Sequence, residues 1–503
     1  MPNTTTNRKM VTVAMLVAIL LVAIDVTVVS TAMPRIVSDL SGLKLISWVF
    51  AIYTLTTSVT TPIYGKLADL FGRKKIFMTG VILFVAGSML SGAAQTMTQL
   101  IWFRAFQGIG AGAVMPITFT IIGDLFPGEQ RAKMQGVFSS VWGIAGLLGP
   151  LVGGFFVDQM SWRWIFYINL PIGLVSLVLI STFFHETFEA KKGRKIDYLG
   201  AITFTIGISS LLYALLNAGQ GQKYAWNSAP IYTLFAVAVI FIVLFGYIET
   251  KVKEPMLPPS LFRIPVILVS NLISFLSSCV LIGVNVYLPM WIQTILGHSA
   301  TSSGLTLMPL SIAWPLGATF AGRYMYKIGS KLTAVLGSIF IALGSTWLIA
   351  LELGSPYWYF VGIMIVLGLG MGYATTPTTV LVQSAVGWEM RGAATASNTF
   401  TRSIGQTVGI AVFGTIFNNS LINFGKEHSN GAWSGGGNMS NVLSSEAINK
   451  LPANVITMIH QALAHGLHLV FILVFFIGLA NLIATLFLPS HKKVMEHQKQ
   501  VQH

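Results

Sequence analysis

Two ionisable side chains sit where charge is expensive. Asp25 falls inside an apolar run over 10–32, and Arg104 inside another over 99–122. A carboxylate in hydrocarbon is costly and by default marks function. Burial and a neighbouring cation push a carboxyl group's proton affinity in opposite directions, so such a site can be poised to load and release a proton. Asp25 precedes Met33, at one end of its run, by eight residues, and Arg104 follows Gln99, at the corresponding end of its own, by five. At about 1.5 Å per residue both groups lie roughly 8–12 Å beneath the same face, which makes them a candidate pair for proton coupling. The competing reading is a buried ion pair with a structural role, the arginine bracing helix packing.

A second concentration of charge is "GKLADLFGRKK", Gly65 to Lys75, between two apolar runs. Asp69 and Arg73 are four apart and share a face if the stretch is helical. Asp124 closes the fourth apolar run on the same side, and Glu129-x-Arg131 follows it. A positive membrane anchor would account for Lys66, Lys74 and Lys75 but not for the carboxylate. "GRYMYKIGSK", Gly322 to Lys331, reads as a worn copy, with Tyr326 in the place of Asp69 and Ser330 in that of Arg73. In "GIAGLLGPLVGG", Gly143, Gly146, Gly149, Gly153 and Gly154 permit close helix approach, and Pro150 removes a backbone donor and permits a kink. Ordinary packing is the rival explanation there. "GIGAGA" (108–113) partly fits a dinucleotide fingerprint but lies inside an apolar run with no preceding strand. No G-x-x-x-x-G-K-[ST] occurs, which argues against an ATP-driven pump.

The elements that must carry these groups follow from composition. Charged residues are 9% of 503, and mean hydropathy is +0.73, against roughly 25% charged in soluble domains. Runs long enough to cross ~30 Å of hydrocarbon recur fourteen times, over 10–32, 45–65, 76–96, 99–122, 134–157, 164–184, 198–217, 229–249, 265–288, 301–322, 332–351, 357–383, 394–417 and 464–487. The first follows Arg8 and Lys9 as a signal peptide would, but lacks a small-residue cleavage site and reads as retained. With both termini inside, 22 of the 30 Lys and Arg residues fall in cytoplasmic segments and 6 outside, leaving Arg104 and Arg402 within the membrane. The net charge of +14 therefore expresses topology and not a nucleic-acid footprint. Cys279 stands alone, which excludes an intrachain disulfide and a cysteine-based metal site.

The worn copy belongs to a larger repeat. Gly65 and Gly72 recur as Gly322 and Gly329 at an offset of 257; Gly108, Gly110 and Gly112 recur as Gly368, Gly370 and Gly372, and Glu129-x-Arg131 as Glu389-x-Arg391, at an offset of 260. This predicts an all-α integral membrane protein of six plus two plus six spans: a first half over 1–190, a two-helix insert over 191–263, a second half over 264–488 and a tail over 489–503. The insert carries no internal acid and reads as a peripheral hairpin.

In this order the motifs resemble the major facilitator superfamily, in its fourteen-helix drug:proton antiporter branch, over nearly the whole chain. "AIDVTVVSTAMP" (23–34) is similar to the branch's helix 1 motif, "GKLADLFGRKK" to the loop 2–3 motif, and "RAFQGIGAGA" (104–113) to the helix 4 motif. "GIAGLLGPLVGG" (143–154) resembles the helix 5 antiporter motif and "WRWIFYINLPIG" (162–173) the entry to helix 6. The resemblance implies a multi-pass protein of a bacterial cell membrane, working as a monomer, that exports small lipophilic compounds as protons enter. It further implies that Gly65, Asp69, Gly72, Arg73, Asp124 and Arg131 belong to a latch holding the halves together while the transporter faces outward. The altered second copy makes that gate asymmetric.

Other readings stay open: a proton symporter or uniporter of a metabolite, or a non-transporting sensor. No enzyme activity, cofactor or metal is expected; His491, His497 and His503 in the tail are too far apart for a metal site. Trp48, Tyr53, Asn271, Asn285 and Trp314 are candidates to line the cavity. With Asp25 the one acid away from the span ends, the expected cargo is neutral or monocationic. Residues 418–463 form the longest outside loop, in which 444–463 could hold a short interfacial helix, and Trp162 and Trp164 are expected at the outer interface.

Overall fold

The computed structural model describes residues 6–40, 45–126, 128–186, 196–218, 224–297, 300–352, 354–428 and 453–489. Its elements are α1 (Arg8–Leu40), α2 (Ile46–Phe71), α3 (Arg73–Gly92), α4 (Met97–Leu125), α5 (Gly128–Gln159), α6 (Trp164–Tyr167), α7 (Asn169–Phe183), α8 (Tyr198–Asn217) and α9 (Ala229–Lys251). There follow α10 (Pro259–Arg263), α11 (Pro265–Thr294), α12 (Ala300–Ile328), α13 (Ser330–Ile349), α14 (Tyr357–Ser384), α15 (Arg391–His428) and α16 (Ala453–Leu486), with a 3₁₀ turn, Trp388–Met390, before α15. There is no strand among the described residues. Helices are what an apolar chain must form in hydrocarbon, because each satisfies its own backbone.

Helix boundaries have local causes. The Thr96 hydroxyl accepts from Gln99 N at 3.2 Å and starts α4; the Asp197 carboxylate accepts from Gly200 N at 2.7 Å and starts α8. Gly72 and Gly329 each separate two helices by one residue, at φ 94° and 93°, a conformation that a side chain disfavours. The expected span over 164–184 is divided into α6 and α7, since Pro171 cannot supply the N–H that the Tyr167 carbonyl would accept.

Twelve helices among the described residues are long and apolar enough to cross a membrane, against the fourteen runs expected. The two runs outside that set, 45–65 and 394–417, fold as the long helices α2 and α15. Their composition is more polar because they pack on each other and on further helices. The threonines of α2 return their hydroxyls to carbonyls one turn back, as Thr60 does to Thr56 at 2.7 Å.

The repeat in sequence is a repeat in packing. A Cβ on Gly108 would press on the Tyr53 carbonyl at 2.7 Å, in α2, while one on Gly110 would press on the Gly80 carbonyl at 2.6 Å, in α3. In the second set Gly368 faces the Leu310 carbonyl of α12 at 2.8 Å and Gly370 the Gly337 carbonyl of α13 at 3.0 Å. Alternate glycines thus sew α4 between α2 and α3, and α14 between α12 and α13. Buried apolar side chains of α1–α7 form two clusters, and those of α10–α16 two more. A fifth joins Leu55 and Val59 of α2, Phe204 of α8 and Phe400 of α15, which sets the α8–α9 pair against the seam between the two sets.

Of the two tryptophans expected at the outer interface, Trp162 is buried and donates from Nε1 to Asp39 Oδ2 at 3.0 Å, near the end of α1, whereas Trp164 is exposed. The later part of 444–463 is the start of α16 and not a separate helix; 429–452 and the tail histidines lie outside the described residues.

Candidate functional site

The structure brings Asp25 and Arg104 together. α1 and α4 place them side by side, and Arg104 Nη1 donates to Asp25 Oδ2 at 2.5 Å. Both are buried, with relative exposures of 0% and 1%. Gln107, one turn along α4, donates from Nε2 to Asp25 Oδ1 at 2.8 Å and accepts from Arg104 Nη1 at 2.9 Å. Asn169, first residue of α7, donates to Asp25 Oδ1 at 3.2 Å and to Ser88 Oγ at 2.9 Å, and that hydroxyl donates to the Phe166 carbonyl at 2.8 Å. The Tyr53 ring centre lies 4.1 Å from the Arg104 guanidinium carbon, a cation–π contact. A carboxylate so placed receives three donors, one of them a cation, all from α1–α7.

Gln107 and Asn169 were not anticipated as partners. Both are polar residues inside apolar runs and lie within "RAFQGIGAGA" and "WRWIFYINLPIG". That signal was available; the break that turns Asn169 toward α1 was not.

At one end of the bundle the second cluster joins the two helix sets. Asp69, near the end of α2, accepts from Gly392 N at 3.0 Å and from Ala393 N at 2.9 Å. These are free amides of the first turn of α15, so Asp69 caps a helix of the other set, where the helix dipole favours an anion. Arg73 donates from Nη2 to Asp69 Oδ1 at 3.0 Å and to the Trp388 carbonyl at 2.8 Å, and its Nε lies 3.0 Å from Asp124 Oδ2. Its guanidinium carbon sits 3.6 Å from the Trp388 ring centre. Asp124 also takes a charged hydrogen bond from Arg391 Nη1. Arg131 donates from Nη1 to Ser384 Oγ at 2.9 Å and from Nη2 to the Gly123 carbonyl at 2.5 Å. Gly65 is where α2 and α15 approach, since a Cβ there would meet the Gly392 carbonyl at 2.8 Å.

Glu186 caps α3 within the same cluster, accepting from Arg73 N at 2.8 Å and Lys74 N at 2.9 Å. Sequence reasoning missed it, together with Trp388 and the role of Arg391. The repeated Glu-x-Arg had marked Arg391 as the counterpart of Arg131, but not what it touches.

The helix 5 glycines divide. Gly146 lies against Ser311 Oγ of α12, where a Cβ would stand at 3.4 Å, and Gly143 touches the Ser311 carbonyl. Gly149 packs on Thr27, and Gly153 would set a Cβ 3.3 Å from the Val28 carbonyl, both in α1; Gly154 meets nothing within 4 Å. The Pro150 side chain lies outside the described residues.

Of the cavity candidates, Trp48 lies against the Tyr213 ring of α8 at 5.2 Å, and Tyr53 is committed to Arg104. Asn271 is tied to α15, donating to Ser397 Oγ at 3.0 Å and accepting from Asn398 at 3.0 Å. Trp314 packs on the largest cluster of the second set, and Asn285 is half-buried in α11.

Two pseudo-equivalent helical sets, one holding a buried ion pair and the two joined by charged contacts at one end, have the build of a multi-span membrane transporter. The chain belongs to the Major Facilitator Superfamily, whose family model matches residues 15–410. Multidrug transporter protein MdtP of Bacillus subtilis (strain 168) is 40% identical over 418 residues, 82% of this chain and 76% of its own. Multidrug resistance protein 3 of the same organism is 36% identical over 475 residues, 93% of this chain and 92% of its own. Among solved structures, the proton:xylose symporter XylE bound to 6-bromo-6-deoxy-D-glucose superposes with a TM-score of 0.59 at 16% identity, over 96% of both chains, a likeness of fold alone.

Proposed function

We propose that this protein is a proton-coupled antiporter that exports small lipophilic compounds across the cell membrane, working as a monomer. The observation that carries the reading is Asp25: a buried carboxylate held by Arg104, Gln107 and Asn169 inside one helix set. The two multidrug relatives support efflux as the direction. In this reading α2 and α15 also cross the bilayer, making fourteen spans in halves of 1–190 and 264–488, with 191–263 between them. Both termini are cytoplasmic, so the Asp69 cluster closes the cytoplasmic end and the protein faces outward. A proton from outside joins Asp25 and loosens Arg104; the halves rock, the cluster parts, and the proton leaves inside as cargo is taken up.

The driving force is adequate. One proton entering across 100 mV and one pH unit supplies about 3.7 kcal/mol, enough to concentrate a neutral cargo roughly 500-fold. The test is flux in proteoliposomes with an imposed pH gradient, across a panel of lipophilic dyes and antiseptics. Gradient-driven accumulation of several unrelated compounds is expected. Transport of one metabolite alone, in the same direction as protons, would replace antiport with symport.

A further inference from the structure

No acid lies in the middle of α8 or α9, but two meet at one end of the pair. Asp197 immediately precedes α8 and Glu249 stands two residues before the end of α9, so the antiparallel hairpin brings them to the same level. Both are buried, with relative exposures of 8% and 3%, and their carboxyl groups are within hydrogen-bond distance of each other. Three of the four oxygens accept backbone amides. Glu249 Oε1 takes Met256 N and Oε2 takes Leu257 N, each at 3.1 Å, and Asp197 Oδ1 takes Gly200 N at 2.7 Å. The fourth, Asp197 Oδ2, is buried and receives no donor.

The charged groups of the elements packed on this pair are engaged elsewhere. Lys66 of α2 bonds to Glu254 at 2.8 Å, Lys251 of α9 lies 5.7 Å from the Tyr247 ring centre, and Lys253 and Arg263 are exposed. In α15, Arg391 faces Asp124 and Arg402 donates to Thr379 Oγ1, while Asp69 of α2 has Arg73. The phenols at this end, Tyr64, Tyr198 and Tyr247, carry no charge near neutrality. Two buried carboxyl groups in contact, with no cation among the described residues between them, do not both stay ionised. The bonding pattern says which one holds the proton. On Asp197 Oδ2 it donates to Glu249 and leaves every other acceptor in place; on Glu249 it would sit on an oxygen already taken by an amide.

We propose that Asp197 and Glu249 form a second proton-binding site, separate from Asp25, with the proton on Asp197 Oδ2 and donated to Glu249. The site has a consequence at the seam. Glu249 holds the segment 252–258, whose Glu254 bonds to Lys66, three residues before Asp69. Met256 and Leu257 of that segment join the cluster of Leu55 and Val59 in α2 and Phe400 in α15. Loss of the proton sets two anions against each other, frees both amides and loosens the segment beside the Asp69 cluster. The insert thereby gains a pH-sensitive hold on both helix sets, whatever the direction of transport.

The test is infrared spectroscopy of the purified full chain, its aspartates isotope-labelled at the side-chain carboxyl carbon, titrated from about pH 5 to about pH 9. The label separates aspartic from glutamic acid. A protonated-aspartate band is expected in the wild type at neutral pH, retained in Asp25→Asn and lost in Asp197→Asn. Glu249→Gln removes the neighbouring anion and should move the band's titration to lower pH by about one unit or more. Thermal unfolding gives a second readout. A carboxyl group that keeps its proton in the folded state beyond its unfolded range costs stability as pH rises, so the wild-type midpoint should fall through the pair's titration. Asp197→Asn keeps a cap for α8 and an amide that donates to Glu249 at every pH, so its midpoint should fall less. The wild-type band and its shift in Glu249→Gln keep the test intact should Asp197→Asn fail to fold. No protonated-aspartate band in the wild type at neutral pH, a band undiminished in Asp197→Asn, or a band lost in Asp25→Asn would overturn the proposal.

Discussion

The Asp25 site and the Asp69 cluster are built from the same pair of groups, a carboxylate and a guanidinium, but they divide them differently. At Asp25 every partner comes from α1–α7, so rigid rotation of one helix set against the other leaves the shell intact. At Asp69 the partners include the first amides of α15, and Asp124 meets Arg391, so the same rotation must break them. The first arrangement suits a group that holds a proton through a conformational change. The second suits a group that reports which conformation is present. In the proposed cycle, the location of a carboxylate relative to the moving boundary, more than its burial, separates the two tasks.

Substitutions can break that contrast. Asp25→Asn preserves size but cannot cycle a proton, so gradient-driven flux should fall to background while thermal stability and downhill exchange of cargo persist. Asp69→Asn removes an anion from a helix N-terminus and weakens the three charge-assisted hydrogen bonds its carboxylate accepts, from Gly392 N, Ala393 N and Arg73 Nη2, each worth about 1.5–3 kcal/mol. Turnover should drop about tenfold with cargo affinity kept within about twofold; a large affinity loss at normal maximal rate would place Asp69 in the binding site instead.

A finer contrast lies within the cluster. Arg391 and Arg131 are equivalent in the repeat, yet Arg391 meets the acid Asp124 and Arg131 meets Ser384 in the corresponding place. Arg391→Gln should therefore slow turnover about fivefold and Arg131→Gln no more than about twofold, read as initial rates in proteoliposomes. Ser384→Asp would give Arg131 the missing acid, and is expected to lengthen the closed state and lower turnover about twofold.

Much of this was legible in the residues, for identifiable reasons. Hydrophobic runs and periodic glycines reveal helices and their close contacts because bilayer thickness and backbone approach act on local sequence. The Asp25–Arg104 pair could be read from matching depth, since rise per residue is fixed. Helix rotation and partners across the seam could not. Trp48 and Asn271, named as candidates to line the cavity, pack on Tyr213 of α8 and hydrogen-bond to α15, because which face a residue presents depends on packing against residues more than a hundred positions away in sequence. Asp69 capping α15 was invisible for the same reason: its partners are backbone amides, which carry no residue identity. The difference between fourteen runs and twelve sufficiently apolar helices lies in α2 and α15, where burial between helices relaxes the need for apolarity.

Proton release on cargo binding tests the central claim most directly. Cargo is added to purified protein in weakly buffered detergent solution with a pH indicator, at a pH where protons are released by the wild type. The account requires that cargo entry displace a proton from Asp25, so the wild type should release close to one proton per bound cargo and Asp25→Asn none, at comparable cargo binding. Undiminished release by Asp25→Asn would show that the coupled proton is carried elsewhere.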